Sequence, residues 1–159
     1  MILTKVRSVE FDETSQMGVV MLQDAEGKKV LPIWVGIFEA QATLFRLKNI
    51  SSPRPLTHDL LRNVIENLKG KVEYVFVDDI VGNTYYAKIN VVLGNEKIVI
   101  DSRPSDAIAL ALRTDSPIYV SEKVFDSHSL DTDKFEDEQR QEFFKQYLAN
   151  LSEDDLNKA

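Results

Sequence analysis

The 159-residue chain contains no cysteine, which excludes disulfide bonds and thiolate chemistry together. Its only histidines, His58 and His128, lie far apart in sequence. With no cysteine to join them, a structural zinc site lacks ligands. No stretch approaches the ~18 consecutive apolar residues of a membrane-spanning helix. The opening segment MILTKVRSVEF alternates polar and apolar residues, unlike the unbroken apolar core of a signal peptide. The expectation is a cytoplasmic protein with no membrane attachment. Several catalytic fingerprints are missing as well: a Walker-type phosphate loop, a dinucleotide-binding glycine pattern, HExxH and a Gly-x-Ser-x-Gly elbow. Any chemistry must therefore sit in a less familiar grouping.

What is present is a globular composition of single-domain length, 43% hydrophobic and 28% charged. The net charge of −7 is unevenly placed. Residues 126–159 hold 10 acids against 4 bases, whereas residues 1–125 hold 16 against 15. The division expected is a nearly neutral domain over 1–125 followed by an acidic, helical C-terminal tail over 126–159. Overall acidity argues against indiscriminate nucleic-acid binding, which is electrostatic. One stretch runs the other way: residues 46–71 carry Arg46, Lys48, Arg54, Arg62, Lys69 and Lys71 against Asp59 and Glu66. This is either a set of solvated charges or a face for a polyanion.

The pattern of apolar residues predicts strands over 2–11, 18–23 and 28–35, then a helix after Gly36. Pro32 lacks an amide donor, so the third strand belongs at an edge or carries a bulge. In the helix, Phe38, Ala42 and Phe45 form one stripe, with Glu39, Thr43 and Arg46 on the opposite face. Prolines 53 and 55 forbid a helix through the next loop. Thr57 is placed to cap a helix carrying Leu60, Leu61, Val64, Ile65 and Leu68. Three more strands follow (71–79, 84–92 and 97–101), and then a helix from Pro104 to Arg113 that is apolar nearly all round and so buried. A short strand over 117–121, a polar loop over 126–133 and an amphipathic helix with Phe144, Tyr147, Leu148 and Leu151 complete the chain. The fold class is α+β.

An internal repeat is visible at an offset of 67 residues. It pairs Gly27 with Gly94, Ile33 with Ile100, Ala40 with Ala107, Ala42 with Ala109, Arg46 with Arg113, and Glu39 with Asp106. The chain thus reads as two weakly repeated strand-strand-strand-helix units in one mixed-sheet domain, with a C-terminal helix added.

Three segments combine chemistry-bearing side chains with a helix start. In Asp101-Ser102-Arg103-Pro104-Ser105-Asp106, Pro104 suits the first helical turn, where its missing N–H costs nothing. The free amides there favour an anion, Arg103 offers a bidentate phosphate partner, and two carboxylates flank the turn at a spacing that suits a divalent cation. Equally, Asp106 is favourable by helix dipole alone and Ser102 by capping. In Arg54-Pro55-Leu56-Thr57-His58-Asp59, His58 is the better placed histidine for acid–base work, or else an exposed first-turn residue. In Gly36-Ile37-Phe38-Glu39, the glutamate is a ligand or a dipole partner.

These segments carry a resemblance. Leu31-Pro32-Ile33-Trp34-Val35-Gly36 with Glu39-Ala40, then Arg54 to Leu61, then Asp101 to Ala111, resemble in order and spacing three motifs of the bifunctional nuclease family. The match spans about residues 1–125. The resemblance implies an α+β fold, a homo-oligomer and nuclease activity on DNA and RNA. Two readings follow. In the first, Glu39, Asp101 and Asp106 hold magnesium or manganese, His58 serves as acid or base, and Arg54, Arg103 and Ser105 bind phosphate, with the four acidic and imidazole groups as the catalytic set and no organic cofactor. In the second, the motifs are packing and capping elements of a non-enzymatic binding or regulatory module. The expected partners are nucleic acid and a second copy of the chain; Trp34 and Phe38 beside Pro32 read as exposed apolar surface for a homodimer. The first reading requires all three motifs to meet in one cleft.

Overall fold

The computed structural model describes residues 1–133. The predicted C-terminal helix with Phe144, Tyr147, Leu148 and Leu151 lies outside the described residues.

The first three strands, β1 (Ile2–Asp12), β2 (Met17–Asp24) and β3 (Lys29–Gly36), form an antiparallel meander that leads into α1 (Ile37–Leu47). After α2 (Thr57–Asn67), the strands β4 (Gly70–Val81), β5 (Thr84–Leu93) and β6 (Glu96–Ser102) form a second meander leading into α3 (Pro104–Thr114). The chain continues through β7 (Ile118–Val120), α4 (Glu122–His128) and β8 (Leu130–Asp131). The predicted polar loop over 126–133 is therefore the end of a helix followed by a short strand. Ser121 caps that helix by accepting a hydrogen bond from the Val124 amide at 3.2 Å.

One eight-stranded mixed sheet runs β6-β5-β4-β7-β1-β2-β3-β8. β7 joins the two meanders, parallel to β4 and antiparallel to β1. The repeat read from sequence is an architectural one: α1 and α3 begin and end 67 residues apart, each after its own meander. Gly27 and Gly94, paired by that offset, both have positive φ, at 74° and 61°, in equivalent hairpin turns. Pro32 faces Met21 on β2; on its other side β8 pairs only with Lys29 and Val30, so the missing amide leaves no ladder bond unmade.

The two meanders share one core. Val20, Leu22, Ile33 and Val35 from the first meet Val75, Val77 and Ala87 from the second, under Ile108 and Leu110 of α3. As predicted, α3 is buried over most of its circumference. On α1 the buried residues are Ala40 and Thr43 rather than members of the Phe38–Ala42–Phe45 stripe, and Phe38, read as exposed apolar surface, is 78% exposed. The small and polar face of α1 packs inward, with Ala40 lying closely over Gly18 of β2, and the aromatic turns outward. The reading of Trp34 is corrected: it is buried, not part of an exposed patch. In α2 only half of the expected stripe packs inward. Leu61 and Ile65 meet the core, and Leu60, Val64 and Leu68 stay exposed.

Candidate active site

A cleft of about 780 Å³ opens between α2, the first turn of α3 and the β5–β6 hairpin. His58, Arg103, Asp106 and Asp101 lie at its polar end, and Leu60, Leu61, Val64, Ile89 and Ile100 form an aliphatic wall beside Tyr85 and Tyr86. Ile89 pairs with Ile100 and Lys88 with Asp101, so the apolar pair and the ion pair lie on opposite faces of the sheet, and Asp101 borders the cleft only from the edge strand β6.

At the polar end, His58 Nε2 lies 2.9 Å from Asp106 Oδ1. His58 is buried at the start of α2, and the Asp106 side chain is partly exposed in the first turn of α3. The His58 hydrogen bond holds the Asp106 carboxyl below its ordinary value; partial burial opposes this, and the positive charges of His58 and Arg103 reinforce it. Asp106 is therefore a carboxylate at neutral pH, able to fix the tautomer and orientation of the imidazole. Arg103, the residue that precedes the first turn of α3, reaches back to Glu39 of α1, with Nη1 3.6 Å from Oε1. Glu39 in turn folds its carboxylate over Gly36, filling the space that a Cβ there would need. The three motifs thus meet through two contacts, Glu39 to Arg103 and Asp106 to His58.

Other candidates are placed differently. Asp101 is exposed and pairs with Lys88 Nζ at 3.0 Å, which also approaches Asp78 at 3.8 Å. Arg54 is exposed on the loop before α2 and does not line the cleft. Ser105 is buried, with no hydrogen-bond partner for its Oγ, and neither it nor Glu39 lines the cleft. Among the described residues, no three histidine, aspartate or glutamate side chains gather as a metal cage. Glu39, Asp101 and Asp106 do not form one: each faces a different basic group. Thr57 is not the cap of α2. Leu56 holds that position, and its amide donates to Asp59 Oδ2 at 3.0 Å.

The residue groups that sequence reasoning missed lie on either side of α2. Arg113 is buried, donating from Nε to Asp59 Oδ1 at 2.8 Å, from Nη1 to the Ala109 carbonyl and from Nη2 to the Ala42 carbonyl. The pairing of Arg46 with Arg113 in the repeat was the available signal. Lys88 and the strand side of the apolar wall, Ile89 and Ile100, carried no sequence signal, because they depend on the β5–β6 register.

A bifunctional nuclease domain model matches residues 20–133, most of the chain. The chain belongs to the bifunctional nuclease family. An uncharacterised protein of Mycobacterium tuberculosis is 34% identical over 160 residues, covering 96% of each chain. Bifunctional nuclease 1 of Oryza sativa is 29% identical over 116 residues, which is 71% of this chain and 35% of the rice protein. Bifunctional nuclease 1 of Arabidopsis thaliana is 28% identical over 106 residues, covering 65% and 32%. The matched region is about a third of each plant protein's length. Family membership adds to the α+β fold a nuclease name attached to relatives. Among the described residues no helix is long and apolar enough to cross a membrane.

Proposed function

We propose that this chain is a nuclease that cleaves phosphodiester bonds in the cleft between α2, α3 and the β5–β6 hairpin. The observation that carries the reading is the 2.9 Å contact between His58 and Asp106, which joins two motifs distant in sequence at one end of an open cleft. Asp106 orients the imidazole, and His58 transfers the proton, either from attacking water or to the leaving oxygen. Arg103 neutralises the phosphate, held by Glu39 on its far side. Asp106 faces the cleft, and Asp101 borders it from the edge strand β6 with its carboxylate paired to Lys88. Magnesium or manganese commonly takes one or two protein carboxylates plus substrate phosphate and water, and Asp106, joined by Asp101 on leaving Lys88, would supply them. When bound, such an ion would stabilise charge on the phosphoryl oxygens. Glu39 acts by holding Arg103, and Arg54 as an outlying positive charge.

Cleavage of labelled DNA and RNA by the wild type and by His58→Ala, each with and without EDTA, tests this. The expected result is a fall of about 10²–10⁴-fold for His58→Ala. Equal cleavage by both proteins would assign the activity to a contaminant.

A second reading, a non-catalytic binding module, is favoured by one observation. The Arg113–Asp59 and Arg103–Glu39 pairs each have a complete structural role in fixing helix ends. It predicts that His58→Ala changes stability and leaves nucleic-acid cleavage at background in every protein. In either reading a second copy of the chain is the proposed partner, tested by sedimentation equilibrium.

A further inference from the structure

We propose that the apolar half of the cleft seats the base of an unpaired nucleotide while Arg103 holds its phosphate, so that the substrate is single-stranded nucleic acid. This rests on the nuclease reading above and narrows it. Leu60, Val64 and Ile100 are 56%, 47% and 42% exposed, yet they are not scattered: they line the same cleft as Arg103. Single exposed apolar residues are ordinary, whereas a group of them beside convergent polar side chains marks a ligand wall. The cleft volume of about 780 Å³ falls within the range of roughly 300–1,000 Å³ for sites that enclose one small-molecule-sized group. The ligand that fits has a flat apolar face and an anion a short distance from it.

An unstacked nucleotide has both features. A duplex does not, because its bases cover one another and it presents only edges, sugars and phosphates. The charge distribution points the same way. The chain carries −7 overall, and Lys88, on the sheet face opposite Ile89, is already shared between Asp101 and Asp78. Affinity for a run of phosphates has little to draw on, so burial of the base must supply much of the binding. One or two phosphate contacts give a slope of log affinity against log salt of about −1 for a single strand.

The test uses the full chain and a short phosphorothioate oligothymidine, with binding followed by fluorescence anisotropy. Three competitors are compared: the same strand in a duplex, the strand with abasic sites, and thymidine monophosphate. Cleavage of the ordinary phosphodiester strand is measured in parallel, including the variants Leu60→Ser and Ile100→Ser, both at exposed positions. The expected result is at least tenfold preference for the single strand, weaker binding of the abasic strand, a salt slope near −1, and a raised KM with little change in kcat for both variants. Equal binding and cleavage of duplex and single strand would overturn this inference and leave the nuclease reading intact. Competition by the mononucleotide at the strand's own affinity would also overturn it, because the ligand would then be a free nucleotide. Preferential single-strand binding combined with cleavage indifferent to His58→Ala would support the base seat and defeat the nuclease reading.

Discussion

Arg46 and Arg113, 67 residues apart, each hydrogen-bond a main-chain carbonyl of the other's helix. Arg46 Nε donates to the Leu112 carbonyl at 3.1 Å, and Arg113 Nη2 donates to the Ala42 carbonyl at 2.9 Å. The two helices that carry the repeat are thus tied by the repeat's own arginines. Both ties end near the second motif, since Arg113 also holds Asp59.

The two arginines should differ in energetic weight. The Arg113 side chain is 3% exposed and serves three partners, one of them charged, whereas Arg46 is 39% exposed. Removing one member of a fully buried ion pair costs about 3–5 kcal/mol; Asp59 is 26% exposed and keeps the Leu56 amide, which brings the cost here to the lower end of that range. A part-exposed hydrogen bond contributes about 1 kcal/mol. Urea denaturation should therefore show Arg113→Ala losing several times as much stability as Arg46→Ala. Equal losses would mean that the Asp59 contact contributes nothing.

Two glycines make a second contrast. A Cβ at Gly18 would run into the Ala40 side chain, where α1 lies on β2, and Ala40 is too short to move aside. At Gly36 the obstacle is the carboxylate end of Glu39, which can swing away. Overpacking typically costs about 1–3 kcal/mol, and Gly18→Ala should fall in that range. Gly36→Ala should fold nearly as well as the wild type but release Glu39 from its place beside Arg103. Its signature is a raised KM for nucleic acid at near-native thermal stability.

How much of this was legible beforehand follows from what each feature depends on. The strand and helix positions, the buried α3 and the βββα repeat rest on local periodicity and turn glycines, and all of these can be read along the chain. The buried face of α1 was not legible because a helix lying closely over Gly18 of β2 buries its smallest residues, not its most apolar ones. The contact between His58 and Asp106 was legible only as a demand that the motifs meet. The sheet order that satisfies it places the short strand β7 between the meanders, and nothing in three residues announces that. The apolar wall was half legible: Leu60 and Val64 stand in the apolar stripe of α2, but a stripe on a helix does not say how wide its cover is.

Acidification should act in two separate windows. His128 has its pKa lowered by burial, so the folded protein binds a proton there less readily than the unfolded chain does. Stability from this group is present above about pH 6.5 and is lost as the pH falls below that value. Asp106 and Asp59 have lowered values too. For Asp106 the cause is the His58 hydrogen bond. For Asp59 burial opposes the shift, and the Leu56 amide and Arg113 outweigh it. Their contribution is present above about pH 4 and falls away as the pH drops through their lower folded values. Thermal melts from pH 7.5 to 3 should show both declines, and His128→Phe should remove the upper one alone.

Asp101 separates metal use from architecture. Its side chain is 79% exposed and paired only with Lys88 among the contacts seen, so Asp101→Asn should leave the melting temperature almost unchanged. If it helps hold a divalent cation with the substrate, the magnesium or manganese concentration for half-maximal cleavage should rise several-fold, with little change once the metal saturates. An unaltered metal requirement would remove Asp101 from the site and leave Asp106 as the carboxylate facing the cleft.

The division of labour at the polar end gives the last prediction. Asp106→Asn keeps the shape of the side chain but removes the charge that orients His58, so its effect should fall on kcat. A loss of about 10²-fold or more is expected, within the range of general acid–base catalysis. Arg103→Ala removes a phosphate partner and leaves the His58–Asp106 contact standing, so it should raise KM first. The double variant His58→Ala with Asp106→Asn should be little worse than His58→Ala alone, because the carboxylate acts through the imidazole. Steady-state kinetics on one strand at several pH values measures all three. Multiplying losses in the double variant would show that Asp106 acts on the substrate directly, and Asp106 would then be a ligand or base in its own right.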